Sequence, residues 1–257
     1  MQLYTKADLI DALKAIRDRG WIENARQGND GGIGNTLEDL LGIEENNLPI
    51  PNAAEWELKS VRKGTTALTT LFHVEPSPRA AKIVAQYLLP RYGWRHKDAG
   101  KKYPETELSF RQTIHAGAYS DRGFRVVVNR AERRVEIEFD PAQVGEKHKE
   151  WLDHVGTSTL EIVPYWGFQD LTHKAGTKLM NIFYVQADRR REGGREFFHY
   201  NSLTMLQQFN PDKFINAIEK SLIYIDFDAR TGHNHGTKFR TRLNAFPKFY
   251  DIVETIF

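Results

Sequence analysis

The sequence predicts an α/β fold, a central mixed sheet flanked by helices, and three observations carry that reading. Leu9, Ile10, Leu13 and Ile16 recur at helical spacing near the N-terminus. Residues 55–61 alternate apolar and polar with the period of two expected of a half-buried strand. Segments of both kinds then interleave to the end of the chain, with no internal repeat, low-complexity tract or linker between them.

Taken in order, residues 5–19 form an amphipathic helix that Thr5 can cap. A glycine-rich break covers residues 28–34, and a second helix follows from Asn35 with Leu37, Leu40 and Leu41 on its buried face. A loop with two prolines leads to the strand at 55–61 and a β-rich run at 66–73. Residues 80–89 read as a helix ending at Pro90, because an interior proline removes an amide donor. A basic, aromatic loop (RYGWRHKDAGKKYPE, 91–105) precedes a strand at 108–116 and a hairpin of 124–129 with 135–139. A helix at 171–179 and a strand at 180–187 lead into the charged turn ADRRREGGRE, across which 197–200 can pair back. Residues 211–221 read as helix, 222–227 as strand, and a short segment closes the chain after Pro247.

Composition narrows the function classes. Of the 257 residues, 40% are hydrophobic and 12% aromatic, enough for a folded core. Lys and Arg number 36 against 34 acids, so a polyanionic partner must be met by a local basic face. The absence of cysteine excludes disulfides, thiolate-held zinc and cysteine nucleophiles. No stretch approaches the roughly 20 apolar residues of a membrane span, and the charged N-terminus does not read as a signal peptide. The expectation is a soluble cytoplasmic protein.

Chemistry concentrates at Glu57-Leu58-Lys59, where strand alternation puts Glu57 and Lys59 on one face. A carboxylate that holds a divalent cation, beside a lysine that orients water, suits phosphodiester hydrolysis. Mg²⁺ keeps several waters and needs few protein ligands. The tripeptide alone is a weak signal, since a solvated strand face with a salt-bridging pair looks the same. Context adds weight: Glu38 lies on the preceding helix after a glycine turn, and LTTLFH follows directly.

GGIGNTLEDLLGIEENN, EWELKS and LTTLFHVEP resemble the core of the MvaI/BcnI family of type II restriction endonucleases, relatives of the mismatch-repair nicking enzyme MutH. The resemblance continues through QTIHAGAYSDRGFRVVV to GHNHGTKFRTRL and covers nearly the whole chain. It implies a restriction-endonuclease-like (PD-(D/E)XK) core whose insertions form a cleft around double-stranded DNA. It further implies a monomer, Mg²⁺ as cofactor, and a C/G-rich site of the CC-N-GG kind. The positions that match the family's active site are Glu38, Asn52, Glu57 and Lys59, with residue 52 and Glu57 as metal ligands. The family has Asp where this chain has Asn52, and a neutral amide lacks the charge that holds a hard cation. Three readings stay open: an engineered inactivation, which is preferred, a natural weak or dead nuclease, or compensation by Glu55. The resemblance also implies base contacts from His73 and from His233, with His235 close by.

Other DNA candidates come from the residues themselves. Arg95, Lys101 and Lys102 in the basic loop fit phosphate contacts, as well as they fit a merely solvated loop. In GHNHGTKFRTR, His233, His235, Lys238 and Arg240 follow a strand, and Lys or Arg paired to guanine is the commonest specific contact. A zinc site on the two histidines is the competing reading, without an assigned third ligand. The arginine-dense ADRRREGGR reads more as an exposed hairpin tip. The chain is expected to be one endonuclease body over 1–257, with a nuclease core at about 5–140 and recognition elements mostly in 90–125 and 141–257. A non-cleaving DNA-binding relative and a MutH-like repair nickase are the alternatives.

Overall fold

Thr5 caps the first helix, Lys6–Asp18, through a reciprocal pair of bonds: its hydroxyl accepts from the Asp8 amide, and the Asp8 carboxylate accepts from the Thr5 amide. The computed structural model describes residues 5–28, 31–43 and 56–257. Asn52 and Glu55 therefore lie outside the described residues. By its internal contacts the chain forms two compact units, Met1–Ala67 with Ala175–Asn210 and Leu243–Phe257, and Leu68–Lys174 with Pro211–Arg242.

The first unit is built on a mixed sheet. Strands run in the order Ile22–Glu23, Arg195–Phe209, Ile182–Glu192, Glu57–Arg62, and Tyr250–Thr255 also pairs with Arg195–Phe209. Glu57–Arg62 lies parallel to Ile182–Glu192, with Glu57 opposite Ile182 and Lys59 opposite Tyr184; the other pairs are antiparallel. Leu9, Leu13 and Ile16 of the first helix pack with Leu37, Leu58, Phe183 and Phe198 in one apolar cluster. Each such fully buried side chain contributes about 1.5–3 kcal/mol.

The second helix, Gly32–Leu40, begins three residues earlier than the glycine-rich sequence suggests. Gly32 is packed so tightly on Asn24 that a Cβ there would lie 2.5 Å from its Nδ2, so the glycine serves close approach and not chain breaking. Leu37 and Leu41 are buried, and Leu40 is half-buried. The hairpin of Ile182–Glu192 with Arg195–Phe209 is longer than expected: ADRRRE continues the strand, and only Gly193 and Gly194, both at positive φ, make the turn.

The second unit holds two antiparallel sheets. Six strands include Leu68–His73, Lys238–Arg242, Ile223–Arg230, Leu108–Ile114 and Trp94–Arg95 in that order, with His233–Asn234 paired to Ile223–Arg230. Arg122–Asn129, Arg134–Val144 and Tyr165–Gly167 make the other. Helix did not end at Pro90. A wide π turn at Val84–Leu88 runs into a last α turn, Leu89–Tyr92, with the proline at its start, where its missing amide costs least. Among the described residues no helix is long and apolar enough to cross a membrane.

Candidate active site

The Glu57–Arg62 strand sends Leu58 into the core, 6% exposed, which turns Glu57 and Lys59 to the opposite face. Lys59 Nζ donates to Glu57 Oε1 at 2.7 Å. Their side chains keep 25% and 13% exposure, so the pair is sheltered yet reachable from solvent. Among the described residues Glu57 takes one of the three ammonium protons, and the ammonium has donors for a further oxygen.

Beneath them lies an aromatic floor that periodicity gave no reason to expect. Tyr184, in register with Lys59, meets the Phe246 ring at 5.3 Å, and Phe246 meets Tyr250 at 5.9 Å. Burial, with the Glu57 charge adding to it, raises the pKa of the Tyr250 hydroxyl well above the usual phenol value. Burial alone does the same to Tyr184. Both phenols stay protonated at neutral pH, so the floor adds no charge below the carboxylate. The signal that could have found it is the aromatic density of AFPKFY at 245–250.

Glu38 sits half-buried in the last turn of Gly32–Leu40, a helix that packs on the same strand: a Cβ at Gly34 would lie 3.5 Å from Ser60 Oγ. Among the described residues no three His, Asp or Glu side chains gather as a metal cluster. The donor chemistry nonetheless fits a hard divalent cation, because the strand offers a carboxylate oxygen and no sulfur.

In the second unit, one face of the six-stranded sheet is charged and the other apolar. Along Ile223–Arg230, Ile223, Ile225, Phe227 and Ala229 are buried, while Asp226, Asp228 and Arg230 face the opposite way. Lys238 stands opposite both His73 and Asp226. Its ammonium donates to Asp228 at 2.9 Å, Arg111 pairs with the same carboxylate at 2.7 Å, and Arg240 donates to Asp226 at 3.0 Å. The two aspartates thus hold the cations in fixed positions on the strand face. Burial would raise the Asp228 pKa, but Lys238, Arg111 and His235 outweigh it and hold the carboxyl below its ordinary value.

His73 is exposed at the end of its strand, with its pKa lowered by partial burial and by Lys238. His233 and His235 are exposed and meet edge-on at 4.2 Å. The turn that carries them is braced by Glu75, which accepts from Asn234 Nδ2 and from the Thr237 amide and hydroxyl. Gly236, at φ +86, passes close to the His73 ring, an approach and a conformation that favour glycine. Lys102 and His235 line one cleft of about 210 Å³ together with Tyr103, Arg111 and Asp228, so the two basic loops meet. Lys101 is exposed beside it in sequence. Arg95 is directed elsewhere: it pairs with Glu105 at 2.5 Å and lines a separate groove with Trp94 and Trp151. Glu75, Asp226 and Asp228 were not singled out by the sequence, since acids near a polyanion site look unfavourable until their cation partners are seen.

The mixed sheet, with a carboxylate and a lysine two residues apart on one strand, agrees with the class that comparisons with known proteins show, a nuclease of the restriction-endonuclease fold. The profile of the MvaI/BcnI restriction endonuclease family matches residues 10–250, and the chain belongs to that family. A solved structure of the restriction endonuclease MvaI with its cognate DNA substrate matches at a TM-score of 0.76 and 25% identity, covering 97% of each chain. A structure of MvaI in the absence of DNA matches at a TM-score of 0.55 and 23% identity, covering 97% of this chain and 98% of that one. No curated protein sequence matches the chain. The protein is a site-specific restriction endonuclease, and endonucleases of this kind generally use a divalent metal.

Proposed function

We propose that the protein hydrolyses duplex DNA with Mg²⁺ at a short site of the CC-N-GG kind, acting as a cytoplasmic monomer that cuts one strand and then the other. The observation that carries the catalytic part is the sheltered Glu57–Lys59 pair on one strand face of a family endonuclease. Glu57 and residue 52 are the positions that would hold the cation. When bound, the cation polarises the phosphate and lowers the pKa of its water. Lys59 orients the attacking water with the ammonium protons that Glu57 leaves available, and it offsets negative charge developing on the phosphate. Glu38 supports the ligand side from its helix. The first unit carries this chemistry and the second reads sequence.

For recognition, the charged sheet face supports the reading. His73, His233, His235, Lys238 and Arg240 address base edges, and Lys101 and Lys102 address phosphates, with Arg95 at the margin of that set. The solved MvaI structure holds cognate DNA, which supports double-stranded DNA as the partner of this chain.

The deciding experiment is plasmid cleavage with Mg²⁺ by the protein and by its Asn52→Asp variant. The expected result is slow or absent cutting by the former and site-specific double-strand cutting by the latter, with a nicked intermediate. Robust cutting by the Asn52 form would place another acid in the metal site and overturn the ligand assignment. Products that stop at one nick would favour the repair-nickase alternative.

A further inference from the structure

Arg122, the first residue of the Arg122–Asn129 strand, is held in an unusual way. Its guanidinium carbon lies 4.1 Å from the centroid of Trp94 and 4.9 Å from that of Trp151. Nη1 is enclosed and, among the described residues, has no hydrogen-bond partner. The adjacent carboxylate, Asp121, is engaged by Lys147. A guanidinium that served only as a packing cross-link would be expected to spend its enclosed donor on a carbonyl or carboxylate. This one lies against two indoles and leaves Nη1 without a partner among the described residues.

The surroundings point to an anion. Arg122 and His148 line two grooves of about 340 and 600 Å³. The smaller also takes in Arg111, which in turn lines the cleft of Lys102 and His235. The larger takes in Lys147 and His154. Arg111, paired with Asp228, and Lys147, paired with Asp121, flank Arg122 along this path from the recognition cleft, and Glu150 also lines the larger groove. Arg122 is thus the cation on the path that has no carboxylate partner among the described residues.

We propose that Arg122, clamped between Trp94 and Trp151, receives a backbone phosphate of the duplex outside the recognised bases. A guanidinium fork matches a phosphate's paired oxygens, and the indoles fix the fork before binding, so little side-chain freedom is lost on contact. The inference rests on the reading of the charged sheet face as the DNA-reading surface.

The test measures binding of the full chain, divalent metal withheld, to a cognate duplex of about 30 base pairs and to one of about 10 limited to the site, across a salt series. For Arg122→Gln, the long duplex should bind about 5–10-fold more weakly, and the slope of log K against log salt should flatten by about one. The short duplex should bind as it does to the parent. Equal loss on both duplexes, or an unchanged slope on the long one, would overturn the proposal and leave Arg122 a packing residue. If Arg122→Gln melts markedly earlier, Lys147→Gln carries the same test, being exposed: a length-dependent flattening supports the phosphate track, and its absence overturns it. Should the parent show no preference for the site within the short duplex, the reading of the sheet face fails, while the long-duplex slope still decides on Arg122.

Discussion

Replacing Lys59 by alanine in the Asn52→Asp form separates catalysis from anchoring. In the structure its ammonium lies 2.7 Å from Glu57 Oε1, with side chains 25% and 13% exposed. A hydrogen bond to a charged group is worth roughly 1.5–3 kcal/mol when enclosed, and partial exposure of both partners reduces that to about 1 kcal/mol. For a chain of this size the melting temperature should fall by about 2–4 °C, a loss that leaves the protein folded at assay temperature. The cleavage rate should fall much further, by about 10²–10³-fold, the usual cost of removing one preorganised donor from a developing charge. The assay is single-turnover cleavage of a cognate duplex beside a mobility-shift titration without metal. A drop in rate with affinity preserved within a few-fold is expected. A large loss of affinity with the rate of the bound complex unchanged would refute the argument and make Lys59 a DNA anchor.

Other outcomes follow from the same structure. His73→Ala and His233→Ala should weaken discrimination at particular base pairs by about 1–3 kcal/mol each in competition binding against single-base variants. Lys101→Ala with Lys102→Ala should instead weaken all sequences alike and flatten the salt dependence; uniform loss from the histidine variants would deny them a base-reading role. Glu196, 7% exposed, accepts from Asn24 Nδ2 at 2.8 Å and pairs with Arg189 at 2.5 Å, so Glu196→Gln should cost about 1–3 kcal/mol in urea unfolding, and an unchanged midpoint would show the network to be neutral. Because the Asp228 carboxyl is held below its ordinary value, its contribution to stability is present above that value and lost as pH falls through the lowered one. Thermal melts from neutral pH into the acid carboxylate range should therefore show a steeper loss for the parent than for Asp228→Asn.

Much of the molecule was determined by local sequence. Thr5 and Asp8 at capping-box spacing, with Leu9, Leu13 and Ile16 on one stripe, specify the first helix without help from the rest of the chain. Alternation around Leu58 put Glu57 and Lys59 on one face, because the period of a strand is two wherever the strand is placed. A hairpin of 124–129 with 135–139 was legible around NRAERR, and the structure extends its strands to Arg122–Asn129 and Arg134–Val144. Only tertiary structure decided that Glu57–Arg62 pairs in parallel with Ile182–Glu192, more than a hundred residues later, since periodicity says which face is buried but not against what. The same holds for the aromatic floor from Phe246 and Tyr250, for Asp226 and Asp228 as the braces of a cationic face, and for the two indoles around Arg122. Each of these depends on partners distant in the chain meeting at contact range, and a charge or ring has no assigned work until its neighbour is known.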